Sequence, residues 1–67
     1  MSLKEFDNIL TEHDWKWSCW ENVWRKDNQS ITYTDSLDSA ILYEKVGNEI
    51  VKTSHTFEEL CKLLEIV

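Results

Sequence analysis

The hydrophobic positions near the start of the chain recur with the spacing of an α-helix. They are Leu3, Phe6, Ile9 and Leu10. These positions share one side of a helix and leave the polar residues between them facing outward. Ser2 followed by Glu5 is the pattern of a capping box, in which both side chains bond free backbone N–H groups at the helix start. The pattern therefore predicts a helix over about 3–12.

The end of the chain shows the same signature. Thr56 and Glu59 form a second capping-box pattern. The apolar stripe that follows consists of Phe57, Leu60, Cys61, Leu64 and Val67. The spacing of this stripe predicts a second helix over about 57–66.

Between these segments the hydrophobic period shortens to that of β-strands. Residues 31–34 alternate and are rich in β-forming side chains. Two further runs, 41–46 and 49–53, flank Gly47-Asn48, a dipeptide suited to a type I′ or II′ hairpin loop of two residues. Such a loop fixes the register of the two strands. The predicted pairs are Val46 with Glu49, Lys45 with Ile50, Glu44 with Val51 and Tyr43 with Lys52.

Four tryptophans fall within ten positions, and their period is ambiguous. They are Trp15, Trp17, Trp20 and Trp24. The first two share a face at the period of a strand, whereas the last three share one at helical spacing. The β-propensity of the run, and a turn-like segment at 27–30, favour a strand with an irregularity near Cys19-Trp20. Because one buried Trp covers about 150–250 Å², we expect at least two of the four in the core of so small a domain.

Together these elements predict one α+β domain over residues 1–67. Its order is an N-terminal helix, an antiparallel meander of three to four strands and a C-terminal helix. Residues 35–40 are expected to form a connector or a single helical turn. No motif in the chain identifies a family.

The charge balance narrows the class of partner. Thirteen acidic and seven basic residues give a net charge of −6, which argues against duplex DNA or an anionic membrane and favours a protein with a basic surface. The candidate acidic face consists of Asp35, Asp38, Glu44, Asp7, Glu12 and Asp14. Such a face would act by charge mimicry on a basic cleft that normally holds nucleic acid. By analogy of size and acidity, this is typical of regulators or inhibitors of phage and mobile-element type.

An alternative follows from a basic segment within this acidic chain. Residues 15–26 carry three bases and one acid together with all the tryptophans. Exposed aromatic rings stack on unpaired bases, while Lys and Arg follow the backbone. The alternative site, for a single-stranded nucleic acid or a small ligand, is Trp15, Trp17, Trp20, Trp24, Arg25 and Lys26. A homodimer that buries the aromatic surface is a third hypothesis.

The sequence gives little support for a metal site or for a catalytic nucleophile. His13 and Cys19 are repeated in spacing by His55 and Cys61, and these are the residue types that bind zinc, but the interval within each pair is too long for a finger or ribbon. A Cys–His nucleophile would also need an oxyanion site and a cavity, for which this chain has little room. We therefore expect no metal, no cofactor and no enzymatic activity.

The remaining sequence features concern the compartment. The chain has one glycine and no proline, so it lacks a phosphate-binding glycine loop. It also lacks an apolar run long enough for a membrane span or a signal peptide. Two cysteines are too few for a disulfide scaffold, and small buried thiols are the expectation for both. These features predict a cytoplasmic protein.

Overall fold

In the computed structural model, which describes residues 1–65, two helices pack on one face of a five-stranded antiparallel sheet. The elements are α1 (Leu3–Glu12), β1 (Lys16–Ser18), β2 (Val23–Lys26), β3 (Gln29–Tyr33), β4 (Ser39–Val46), β5 (Glu49–Thr56) and α2 (Phe57–Leu63). The strands lie side by side in chain order. The predicted α+β meander between two helices is confirmed, with five strands instead of three to four.

Both helices begin where the capping patterns place them. The Ser2 side chain accepts a hydrogen bond from the backbone N–H of Glu5 at 3.2 Å, and α1 has the predicted bounds. At the start of α2, Thr56 and Glu59 form the reciprocal capping box. This helix ends at Leu63, and the part of the predicted helix at 66, with the stripe position Val67, lies outside the described residues.

The hairpin at Gly47-Asn48 has the predicted register. All four expected pairs are present, from Val46 with Glu49 to Tyr43 with Lys52. Gly47 has a φ of +63°, a conformation that glycine adopts without steric cost and that the first loop position of a primed turn requires. Both strands are longer than predicted, since β4 begins at Ser39 and β5 continues to Thr56.

The tryptophan run forms a hairpin, and the prediction of one irregular strand is wrong. Trp17 in β1 lies opposite Trp24 in β2. The loop between the two strands closes through a hydrogen bond of 2.8 Å from the N–H of Asn22 to the carbonyl of Ser18. Asn22 has a φ of +56°, and asparagine is one of the few residues that tolerate this region. Asn22 is therefore the residue in the sequence that could have indicated this turn.

The core lies between the helices and the covered face of the sheet. Its buried members are Phe6, Leu10, Trp15, Trp24, Ile31, Ala40, Leu42, Phe57, Leu60 and Cys61. Trp15 and Trp24 are only 2% and 6% exposed, so two tryptophans belong to the core, as the size of the domain predicts. The rings of Phe6 and Phe57 stack with centroids 4.4 Å apart, which joins α1 to α2.

Candidate functional site

The acidic residues singled out in the sequence lie at several places in the fold. Helix α1 and the two residues after it carry Asp7, Glu12 and Asp14. The connection between β3 and β4 carries Asp35 and Asp38, and β4 carries Glu44. Glu44 lies six positions after Asp38 along extended chain, which corresponds to about 20 Å. The structure therefore brings together the acids around α1, and it does not gather all six into one patch. The acidic face stays a prediction.

Three of these carboxylates have partners within the molecule. Asp38 accepts a hydrogen bond of 2.7 Å from the Ser36 hydroxyl, and Glu44 accepts one of 3.1 Å from the amide of Gln29. Asp7 accepts a hydrogen bond from the phenolic hydroxyl of Tyr33. Asp7 lies in a hollow that three aromatic side chains also line.

This site is a hollow of about 360 Å³ beside α1. Five residues line it: Asp7, Thr11, Trp17, Trp24 and Tyr33. The hairpin register sets Trp17 against Trp24, with ring centroids 5.4 Å apart, and the Trp17 and Tyr33 rings are 6.0 Å apart. Trp17 is 40% exposed, so the hollow has an aromatic wall that solvent and a ligand can reach. We call it the aromatic hollow.

A chain of hydrogen bonds orients the polar groups of the aromatic hollow. The indole N–H of Trp24 donates to the hydroxyl oxygen of Tyr33 at 2.9 Å, and that hydroxyl donates in turn to a carboxylate oxygen of Asp7. Burial raises the pKa of the Asp7 carboxyl above its usual value, because a partly desolvated carboxylate loses hydration energy. A cation placed beside Asp7 would replace the lost hydration.

The chemistry of the aromatic hollow therefore suits a positively charged group. Of its five described lining residues, Asp7 alone carries a charge. The faces of Trp and Tyr rings attract Lys, Arg and quaternary ammonium groups through the ring quadrupole. The volume lies near the lower end of the range for ligand pockets, about 300–1,000 Å³, which corresponds to one long side chain rather than a large cofactor.

The residues of the alternative Trp-rich site are divided among several surroundings. Trp15 and Trp24 are buried, Trp17 lines the aromatic hollow, and Trp20 is 97% exposed in the β1–β2 loop. Arg25 forms an ion pair with Glu21. Lys26 donates a hydrogen bond of 2.8 Å to the carbonyl of His13. The structure does not bring these six residues to one surface.

Sequence reasoning missed Thr11 and Tyr33 as site residues. Tyr33 occupies the same face of β3 as the buried Ile31, since both are odd positions of one alternating strand. That alternation was a usable signal for an inward tyrosine. The hydrogen bond between Tyr33 and Asp7 depends on how α1 packs on the sheet, and no local sequence pattern reveals that packing.

The repeated His and Cys residues also occupy different surroundings. Cys61 is buried, and burial raises the pKa of its thiol. Cys19 is exposed because it lies in the β1–β2 loop, so the expectation of two buried thiols is wrong for this residue. The ring of His13 contacts the carbonyl of Ile9 at 2.8 Å, and that of His55 contacts the Thr53 hydroxyl at 2.9 Å. Within residues 1–65, no group of three or more His, Cys, Asp or Glu side chains is arranged to hold a metal ion.

Comparison with known proteins leaves the geometry as the guide to function. No protein-family model matches the chain, and no curated protein or solved structure is significantly similar to it. In the described part of the chain, neither helix has the length and apolar character needed to cross a bilayer.

Proposed function

We propose that the protein is a small, non-catalytic binding module that recognises a basic partner protein and takes one Lys or Arg side chain into the aromatic hollow. The observation that carries this proposal is the half-buried Asp7 carboxylate beside the rings of Trp17, Trp24 and Tyr33. A carboxylate supplies the charge complement, and the rings supply cation–π attraction. Aromatic residues are also frequent anchors at protein interfaces.

The charges around the aromatic hollow support a basic partner. Helix α1 and the two residues after it carry Glu5, Asp7, Glu12 and Asp14 against the single base Lys4. A local excess of acid, within a molecule of net charge −6, would attract a basic surface over distances of the order of the Debye length, about 8 Å at physiological salt. The attraction would raise the association rate more than the final affinity.

The proposal extends to the type of action. A module of this charge that occupies a basic cleft would compete with the ligand normally held there, which makes it a regulator or an inhibitor of a nucleic-acid-binding protein. The exposed, free thiol of Cys19 suits a reducing compartment such as the cytoplasm.

The direct test is a titration with small cationic probes. Acetyl-lysine-methylamide, acetyl-arginine-methylamide and tetramethylammonium are added to the protein while Trp emission and the indole N–H resonances are followed by fluorescence and NMR. We expect saturable shifts at Trp17 and Trp24, and smaller shifts at the exposed Trp20. Shifts confined to Trp20 would contradict the proposal.

Two matched substitutions on one helix sharpen the test. Asp7→Asn and Glu12→Gln each remove one negative charge from α1, but only Asp7 lines the aromatic hollow. We expect Asp7→Asn to weaken probe binding about tenfold, equivalent to about 1.4 kcal/mol, and Glu12→Gln to weaken it by less than twofold. Equal effects of the two substitutions would mean that general charge, and not the hollow, attracts the cation.

A further inference from the structure

The face of the sheet that the helices leave uncovered has a charge opposite to that of the molecule as a whole. Because side chains alternate along a strand, the face opposite the buried Trp24, Ile31 and Leu42 can be read from the register. One row of cross-strand neighbours on it runs Lys16, Arg25, Ser30, Tyr43 and Lys52. With neighbouring strands about 4.8 Å apart, this row spans about 19 Å. We call this surface the open face.

The open face collects most of the bases and none of the acids of the strands. Lys45, paired with Ile50, adds a fourth cation beside the row. The fifth strand base, Lys26, alternates to the covered side. The two strand acids, Glu44 and Glu49, also alternate to the covered side. The same face carries hydroxyl groups in a neighbouring row: Ser18, Thr32 and Ser54.

Three of the four cations of the open face have no ion-pair partner among residues 1–65. Lys16 lies directly opposite Arg25, an arrangement of like charges that destabilises a strand pair. Glu21 pairs with Arg25, whereas Lys16, Lys45 and Lys52 have no ion-pair partner among residues 1–65. An anionic ligand would relieve this repulsion.

A depression of about 280 Å³ lies next to the row of cations. Its lining includes an aromatic ring, an aliphatic side chain, two cations and one acid: Tyr43, Ile50, Arg25, Lys45 and Asp27. Glu44 also borders it, but its carboxylate accepts a hydrogen bond from Gln29 on the covered side. A phosphate does not suit a wall that includes the carboxylate of Asp27. A nucleobase does, because its flat face can stack on Tyr43 and its amino group can donate to a carboxylate.

We propose that the open face binds single-stranded nucleic acid. The phosphates lie along Lys16, Arg25 and Lys52, and one unpaired base enters the depression against Tyr43. Trp20, which is 97% exposed in the loop at the β1 edge, offers a second ring for stacking. This arrangement of cations beside aromatic rings is the general chemistry of single-strand binding.

The acidic remainder of the molecule directs this binding. Acidic residues around α1 and α2 repel phosphates from the helix-covered side. A single-stranded nucleic acid would therefore approach the open face. Duplex nucleic acid is a poor occupant, because its bases are stacked away from Tyr43 and an open sheet face offers no helix to enter the major groove. The open face shares no residue with the aromatic hollow, so nucleic acid and a basic protein would bind on opposite sides of the sheet.

The test uses fluorescein-labelled dC12, dA12 and dT12 and a 12-base-pair duplex, with binding followed by anisotropy between 50 and 200 mM salt. We expect dC12 and dA12, whose bases carry amino groups, to bind more tightly than dT12, and the duplex to bind most weakly. With four cations engaged, log K should fall with log salt at a slope of about −3, since each neutralised phosphate contributes about −0.7 in single strands. A duplex that binds as tightly as the single strands would overturn the proposal.

Charge reversal at matched positions provides the control. Lys45→Glu with Lys52→Glu changes two bases of the open face, whereas Lys4→Glu with Lys62→Glu makes the same change in net charge on the helices. We expect the first pair to abolish binding and the second to reduce it by less than threefold. Equal losses would overturn the proposal. If the first pair does not fold, as judged by circular dichroism, Lys45→Gln with Lys52→Gln takes its place.

A further substitution separates base stacking from general attraction to polyanions. Tyr43→Ala retains all four cations, and we expect it to weaken dC12 binding about tenfold while leaving heparin binding unchanged. Equal binding of dC12 by Tyr43→Ala and by the original protein would exclude a base in the depression. A loss for dC12 alone would support it.

Discussion

The two faces of this sheet are built from the same five strands, yet they differ in nearly every physical property. The covered face packs Trp24, Ile31 and Leu42 beneath the helices, where all three are buried. The open face presents hydroxyl groups and cations from the intervening positions. Alternation in a strand thus lets one short sequence encode a core and a binding surface independently. Substitutions on one face should therefore leave the other largely intact.

Among the substitutions that test this difference between the two faces, removal of an aromatic ring from the helix layer should change the free energy of unfolding most. Phe57→Ala deletes a fully buried side chain that stacks on Phe6. We expect a loss of about 3–5 kcal/mol in the free energy of unfolding, measured by urea denaturation. This is a large part of the stability of a domain this size.

The matched substitution on the open face is Tyr43→Ala, which removes a half-buried ring. We expect it to cost less than half as much as Phe57→Ala, because its surroundings are already partly hydrated. Equal losses would show that the open face also contributes to the core.

A smaller effect should appear in the pH dependence of stability through Asp7. Its folded-state pKa is raised by burial, so the folded protein binds a proton more readily than the unfolded chain does. The stability from this group is present below the unfolded pKa and is lost as pH rises through the folded pKa.

Asp7→Asn tests this linkage. We expect the variant to become more stable relative to the original protein as pH rises from below 3.8, the ordinary value for this group, to neutrality. The other carboxylates are common to both proteins, so the difference between two pH series of urea unfolding isolates Asp7. A difference that does not change with pH, or that changes in the opposite direction, would contradict the assignment.

The smallest expected effect lies on the open face itself. Lys16→Thr removes the like-charge contact with Arg25 and introduces a residue of higher β-propensity. We expect a gain of about 0.3 kcal/mol in stability at low salt, which should shrink in 0.5 M salt as the repulsion is screened. Thermal unfolding at both salt concentrations measures it. A loss of stability at low salt would show that Lys16 has a favourable contact of its own.

Local patterns predicted most of the secondary structure of this protein, because its signals are short-range. The capping side chains at Ser2 and Thr56, and the hairpin at Gly47-Asn48, act within a few residues of themselves. The tryptophan run misled the prediction, since the turn at Asn22 depends on a backbone conformation that asparagine permits but does not require.

The candidate sites were less predictable, since each is assembled from distant parts of the chain. Asp7 meets Tyr33 across 26 positions, and only the packing of α1 on the sheet creates that contact. The row on the open face requires the register of four strand pairs at once. A count of charges along the sequence averages the acidic and basic surfaces together and conceals both.

The order of the strands in the sheet, which follows the order of the chain, also has a consequence in time. Each hairpin can close as soon as its own residues are available, so little chain entropy is lost in searching for partners, and such topologies fold rapidly. The stacking of Phe6 on Phe57 joins segments near opposite ends of the chain and should be among the last contacts to form. The strand pairs and the contact between the two helices therefore differ widely in the length of chain that each must close, and the loss of chain entropy on folding is greatest for the helix layer.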